Sequence, residues 1–205
     1  MQTKSKSGIY KPKVYTTIVA LLDHFQEPSS VQQALQLPHW KTTMEAEYSA
    51  LVRNGTWRLV PKTKRMHIVL NKWIFKTELK GNGSLDKFKA KLVAKGFQQH
   101  ASVDFSDTFS PIVKASTIQI IFTLVVAYNW DILQIDINNA FLNGILHEDV
   151  YMCQPEGFVS STHPTHACKL IKSLYGLKQA PRAWFVQLRS ALVSWRFQHS
   201  ISNNS

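Results

Sequence analysis

Between Ile68 and Lys95 the residues alternate, and that alternation limits what the segment can become. Two runs, 68–80 and 86–95, are joined by Gly81-Asn82-Gly83-Ser84, a turn composition suited to a hairpin. In the first run Trp73, Phe75 and Leu79 share one face, and Lys72, Lys76 and Lys80 share the other. In the second, Phe88, Ala90, Leu92 and Ala94 oppose Lys87, Lys89, Lys91 and Lys95. A period of two places successive side chains on opposite faces of a strand and is incompatible with an amphipathic helix. The segment is therefore expected to form a hairpin with an apolar side and a cationic side. Lysines on a solvated edge discourage aggregation. Here seven of them share a face with a single acid, Glu78. Like charges that close call for a counter-anion, which favours a finger that contacts phosphate.

The whole chain repeats the bias. Its 205 residues carry a formal net charge of +11, which points to a polyanionic partner, with nucleic acid ahead of an anionic membrane. At 44% apolar residues it can bury a core, which argues against general disorder. The length suits one large or two small domains. Cys153 and Cys168 are the only cysteines, so no disulfide framework is expected and a reducing compartment is the default. Met1 to Lys13 is basic and polar without an apolar core, so it reads as a linker rather than a secretory signal. The longest apolar stretch, Ile118 to Val126, is too short to span a bilayer.

Elsewhere the periodicity is helical. Ser30 is a candidate N-cap for a helix carrying Val31, Ala34 and Leu35, which Pro38 should break. Met44, Tyr48 and Leu51 define a second helix ending at Asn54-Gly55. Trp40 and Trp57 are expected in the core. After a loop over 104–114, Ser116 and Gln119 form a capping-box pattern for a helix to about Asn129, with Ile118, Ile121, Phe122 and Val125 buried. A strand is expected at Ile132 to Ile137. Others are expected near Tyr151 and at Cys168 to Ile171, with a Pro-Glu-Gly turn between them. Pro181 should open a last helix bearing Trp184, Leu188, Leu192 and Trp195 on one stripe.

One acid stands out. Asp136 interrupts the apolar run 132–137 and precedes an Asn-rich turn, Asn138 to Gly144. A carboxylate so placed needs a cation or a hydrogen-bonding partner. A two-metal phosphoryl-transfer site needs at least two converging carboxylates. No Asp or Glu follows Glu156, and the upstream acids form no paired pattern. Cys153, His163, His166 and Cys168 are zinc-type ligands, but their spacing matches no common knuckle. No phosphate-binding GxxxxGK[ST] loop, dinucleotide GxGxxG or serine nucleophile elbow occurs.

These residues fall into an ordered set of motifs: Glu45 to Trp57, Lys72 to Lys76, Lys89 to Phe97, Phe109 to Lys114, Gln134 to Gly144, Tyr151 to Phe158 and Leu174 to Phe185. In that order the chain closely resembles the reverse transcriptase region of copia-type LTR retrotransposon polyproteins, from Gly8 almost to the end. The resemblance implies an α+β fold, the fingers and partial palm of a right-hand polymerase, with an antiparallel sheet and packed helices. It places a basic linker over 1–27, fingers over about 55–114 and palm over about 115–205. It implies that Asp136 and the carbonyl of Ile137 bind Mg²⁺, with Asp136 catalytic. Lys91, Phe141, Tyr175 and Gly176 would bind the nucleotide, Phe141 as the gate beneath its sugar. Lys72, Lys76, Lys87, Lys89 and Lys95 would contact nucleic acid. The implied partners are an RNA or DNA template-primer, deoxynucleoside triphosphates and the remainder of the polyprotein, with no membrane. The implied setting is the cytoplasm, within a virus-like particle.

The chain also departs from that family. Lys91 stands where arginine is common, which keeps charge but loses bidentate geometry. Leu70 and Ser102 stand where glycine is usual, and each is expected to strain a turn. The family's aromatic-x-Asp-Asp pair on the second palm strand does not occur before Ser205, so this chain alone is expected not to polymerise. The alternatives are a non-catalytic basic nucleic-acid-binding module and a decayed element remnant.

Overall fold

The computed structural model describes residues 25–198; of the basic linker expected over 1–27 only Phe25 to Glu27 fall within them, with the Phe25 carbonyl accepting from Thr77 Oγ1 at 2.9 Å, and the last residues lie outside. Ser30 caps α1 (Val31–Gln36), its hydroxyl accepting from the Gln33 amide at 3.1 Å. Pro38 ends that helix and also opens the next, α2 (Pro38–Arg53), which begins six residues before the Met44 expected from periodicity. A proline lacks the amide that a first helical turn leaves unpaired, so the same residue terminates one helix and starts another.

The hairpin forms as expected. β3 (Asn71–Leu79) and β4 (Leu85–Ala94) are antiparallel, with Trp73 opposite Leu92, Phe75 opposite Ala90, and Lys76 opposite Lys89. A second sheet contains β1 (Trp57–Pro61), β2 (Ile68–Val69), β5 (Tyr151–Met152) and β6 (His166–Leu170), in the order β1-β6-β5-β2. Its pairs are antiparallel except β2 with β5. β6 begins two residues before the strand expected from Cys168.

Helix α2 joins the hairpin to this sheet. Trp40, Met44 and Leu51 are fully buried, and Trp40 packs against Phe75 and Phe88 at centroid separations of 5.4 and 4.8 Å. Tyr48 stacks on Phe158 at 4.5 Å, and the Trp73 indole donates to the Glu156 carbonyl at 3.1 Å. Trp57 is only partly buried, packed against this core. A buried polar brace ties the loop after β4 to the start of α4 (Ala180–Ser194). Gln99 donates to Gln179, and Gln179 donates to the Asp104 carbonyl, at 3.0 and 2.9 Å.

The segment expected to form inner palm structure differs. α3 (Ala115–Tyr128) forms, but its N-cap is Lys114, without a side-chain cap bond, so Ser116 lies inside the first turn and builds no capping box. The stripe expected to be buried is open: Ile118, Ile121 and Phe122 are 44%, 50% and 52% exposed, and Val125 only partly covered. The strand expected at 132–137 does not form. Leu133 and Ile135 are more than four-fifths exposed, and no described segment runs alongside to complete a ladder. Strand propensity becomes a strand only when backbone amides and carbonyls find partners, and no described strand pairs with 132–137. In α4, Trp184, Leu188 and Leu192 are partly buried, whereas Trp195 is exposed. No described helix is long and apolar enough to cross a membrane.

Of the two turns expected to be strained, one is. Ser102 has φ +66°, whereas Leu70 is absent from the positive-φ positions and its amide donates to the Gln98 side chain at 3.0 Å. Left-handed backbone costs an L-residue on the order of 1 kcal/mol relative to glycine. Ser102→Gly is expected to stabilise the fold by about 0.5–1 kcal/mol, read as a higher urea midpoint at unchanged m-value. Trp40→Ala is expected to cost about 3–5 kcal/mol in the same measurement.

Candidate functional site

The outer edge of β4, away from β3, carries the site. Near its end the Ala94 amide donates to the Tyr175 carbonyl at 2.8 Å, which lays the Leu174–Leu177 loop across the strand. Two glycines permit that crossing. Gly176 has φ +88°, and a Cβ there would strike the Ala94 carbonyl, while a Cβ on Gly96 would strike the Gly176 carbonyl. Neither residue can carry a side chain without moving backbone.

The crossing brings Tyr175 beside Lys91. The Lys91 ammonium lies 4.2 Å from the Tyr175 ring centroid, a cation–π contact. It also donates to Asn139 Oδ1 at 3.3 Å, and the Tyr175 hydroxyl donates to the same oxygen at 3.4 Å. Asn139, at φ +53°, leads into a 3₁₀ turn, Ala140–Asn143. Phe141 on that turn stands behind Tyr175, edge to ring at 5.7 Å, and its carbonyl accepts from Ser173 Oγ at 2.6 Å.

Together these elements bound an open groove of about 530 Å³. Lys87, Lys89 and Lys91 line one wall, Thr43, Ala46 and Glu47 of α2 contribute, and Asp136 to Asn139 and Tyr175 line the rest. Residues at 91, 136 and 175, each singled out from sequence, thus meet in one place. Gly176 acts through the crossing rather than as lining. Lys72 and Lys76 are exposed on β3, outside the groove, and Lys95 follows β4, where its amide donates to the Leu70 carbonyl at 2.7 Å.

The cationic face is partly neutralised from within. Glu78 pairs with Lys89 at 2.6 Å and with Lys87 at 3.8 Å, and the Lys89 hydrogen bond is the main reason its carboxyl titrates below the usual range. These pairs are solvent-exposed and contribute little to stability. Lys91 and Glu47 of α2 both line the groove. Burial pushes the Glu47 carboxyl up, and the Lys91 charge and a hydrogen bond from the Leu92 backbone pull it part of the way back. Glu47 Oε1 is sealed from solvent and has no hydrogen-bond partner. Glu47 and Asn139 went unnoticed in the sequence. Glu47 resembles any acid on an amphipathic helix, and only its i+4 spacing from Thr43 would have put the two on one face.

Asp136 is exposed, and among the described residues its carboxylate has no hydrogen-bond or ion-pair partner. Beside it on the groove lining stand Ile137 and Asn138, whose carbonyl and side-chain amide offer oxygen donors. Such hard donors suit Mg²⁺, which keeps several waters of its own. The zinc-type residues do not converge. Cys153 Sγ accepts from the Asn71 amide at 3.3 Å, and Cys168 is buried in β6, where desolvation pushes its thiol up to about 12. Among the described residues no group of three or more His, Cys, Asp or Glu is placed to hold a metal ion.

Residues 54–204 match the family described as reverse transcriptase (RNA-dependent DNA polymerase), and the chain belongs to that family. More narrowly, it corresponds to part of the reverse transcriptase region of copia-type retrotransposon polyproteins. It is 44% identical over 206 residues to the retrovirus-related Pol polyprotein from transposon RE1 of Arabidopsis thaliana. That match spans 100% of this chain and 14% of the relative. Identity to the Pol polyprotein from transposon TNT 1-94 of Nicotiana tabacum is 39% over 191 residues, covering 92% of this chain and 14% of that protein. An uncharacterized mitochondrial protein of Arabidopsis thaliana is 45% identical over 126 residues, 60% of this chain and 73% of its own length. No solved structure matches the chain.

Gly176→Ala is expected to cost about 2 kcal/mol or more, because the new Cβ meets both a left-handed φ and the Ala94 carbonyl; urea unfolding reads it. Cys168 is expected to resist iodoacetamide at pH 8 in the native state and to react fully in denaturant. Its raised thiol stays protonated well above that pH, and the thiolate is the nucleophile; mass spectrometry reads the labelled site.

Proposed function

We propose that this chain forms the fingers and part of the palm of a right-hand reverse transcriptase, and that the groove between β4, α2 and the Tyr175 loop receives the triphosphate of an incoming nucleotide. The observation that carries the reading is the meeting of Lys91, Asn139, Tyr175 and Asp136 on one open groove, from three separate parts of the chain. Lys91 supplies the positive charge for phosphate, held in place by Asn139 and by the Tyr175 face. Phe141, braced behind Tyr175, sets how close a sugar can approach. Asp136 and the Ile137 carbonyl would hold Mg²⁺, which when bound neutralises phosphate charge. Lys72, Lys76 and Lys95 extend the cationic surface beyond the groove, where template or primer phosphates would run. The activity of the longer relatives, their nucleic-acid substrates and a cytoplasmic, particle-bound setting belong to the same proposal.

Two-metal nucleotidyl transfer needs at least two converging carboxylates, and of the acids that line the groove only Asp136 is exposed, so this chain alone is expected to bind without polymerising. In a primer-extension assay with Mg²⁺ no product is expected. Extension that disappears in Asp136→Asn would overturn that expectation.

The lysine face supports a second reading, a non-catalytic nucleic-acid-binding module. Under it, single-strand affinity falls with salt, survives Asp136→Asn, and loses about 0.7 of its log–log salt slope per lysine removed in Lys87/Lys89/Lys91→Ala. Electrophoretic mobility shifts across a salt series measure both quantities.

A further inference from the structure

Among the described residues, two pairs of histidines stand ring to ring, both outside the groove lining. His67 and His100 have centroids 4.5 Å apart and ring planes at 80°, and His163 and His166 are 4.6 Å apart at 68°. A metal ion bound at about 2.1 Å to one nitrogen of each of two imidazoles sets their centroids roughly 4.5–5 Å apart, so either spacing admits a shared ion. What lies behind the rings separates the pairs. His67 Nδ1 donates to Asp104 Oδ2 at 2.7 Å, and the His100 amide donates to the same oxygen at 2.7 Å. Asp104 is 1% exposed, its carbonyl is held by Gln179, and its Oδ1 is sealed from solvent without a partner. The buried carboxylate thereby fixes the His67 ring and its tautomer and leaves Nε2 with a free lone pair. A carboxylate placed behind a metal-binding imidazole has this same effect. His67 is 31% exposed and His100 is exposed, so both rings are open to a solute. The other pair is engaged differently: His163 Nδ1 hydrogen-bonds the Thr162 hydroxyl at 2.9 Å, and His166 Nδ1 is buried without a partner.

We propose that His67 and His100 form a binding site for a transition-metal dication of the Zn²⁺ class, with Asp104 positioning His67 and water completing the shell. Imidazole nitrogen selects such ions over Mg²⁺, which takes oxygen ligands. Two protein ligands make an exchangeable site, short of the four that hold a structural zinc. The ion would join the start of β2 to the loop after β4, which also carries the Gln99–Gln179 brace.

The test is calorimetric titration of the untagged full chain with Zn²⁺ at pH 8. One-to-one binding is expected, and a large excess of Mg²⁺ is expected not to displace it. Asp104→Asn should weaken it about 10- to 100-fold, and loss of a ligand in His67→Gln or His100→Gln at least as much. His163→Gln should leave it unchanged. His100 is exposed, so its replacement spares the core and keeps the test open if the variants at 67 or 104 fold poorly. Affinity unaffected by His100→Gln overturns the site. Loss in His163→Gln instead assigns the ion to the other pair, and displacement by Mg²⁺ assigns it to oxygen donors; each overturns the proposal. Full affinity in Asp104→Asn, with loss in the histidine variants, overturns the role given to Asp104.

Discussion

The site depends on the crossing of Gly176 over the end of β4. A strand edge that is not covered presents unpaired amides, and here the Tyr175 carbonyl takes the Ala94 amide. Because Gly176 and Gly96 lie backbone to backbone, the loop sits closer than any side chain would allow. That closeness, with the brace through Gln99 and Gln179, brings Tyr175 within reach of Lys91. The same constraint positions Phe141, which leans on Tyr175, and so reaches the turn beyond Asp136.

Charge on the hairpin divides along the strand. Toward the turn, Lys87 and Lys89 are drawn to Glu78 on the neighbouring strand, which offsets part of the crowding of like charges. Toward the crossing, Lys91 is held by an amide oxygen and an aromatic face, neither of which cancels its charge. A lysine is a flexible point charge, and lysine where arginine is common in the family gives up bidentate geometry. Two fixed contacts restore much of the lost definition.

The hairpin was legible because its alternation leaves no other structure, and the register aligned the faces as read. Helix α1 and its Ser30 cap were legible for similar local reasons. The start of α2 was missed because a proline after a helix reads as a stop, while its fitness as a first helical residue depends on the helical stretch from His39 onward. The burial of α3 and the strand at 132–137 were inferred from apolar content, which records a demand for partners and not their presence. The candidate site was half legible. Lys91, Asp136 and Tyr175 sit in distinctive motifs, whereas Glu47 and Asn139 acquire meaning only once α2 and the turn at 139 are folded against β4.

The two halves of the groove therefore differ in how firmly they are built. The cationic wall belongs to a hairpin packed on Trp40 and clamped by the glycine crossing, so its geometry is set by the core. Asp136 belongs to a stretch without a ladder, next to a helix whose apolar surface is open among the described residues. A carboxylate there is tied to the groove mainly through Asn139, the residue that also steadies Lys91 and Tyr175. Phosphate recognition can thus be set in advance by packing, whereas metal recognition at Asp136 depends on whatever orders 130–137. Covering the open face of α3 would act first on 130–137 and reach Lys91 only through Asn139, because the Tyr175 contact of Lys91 is held by the glycine crossing.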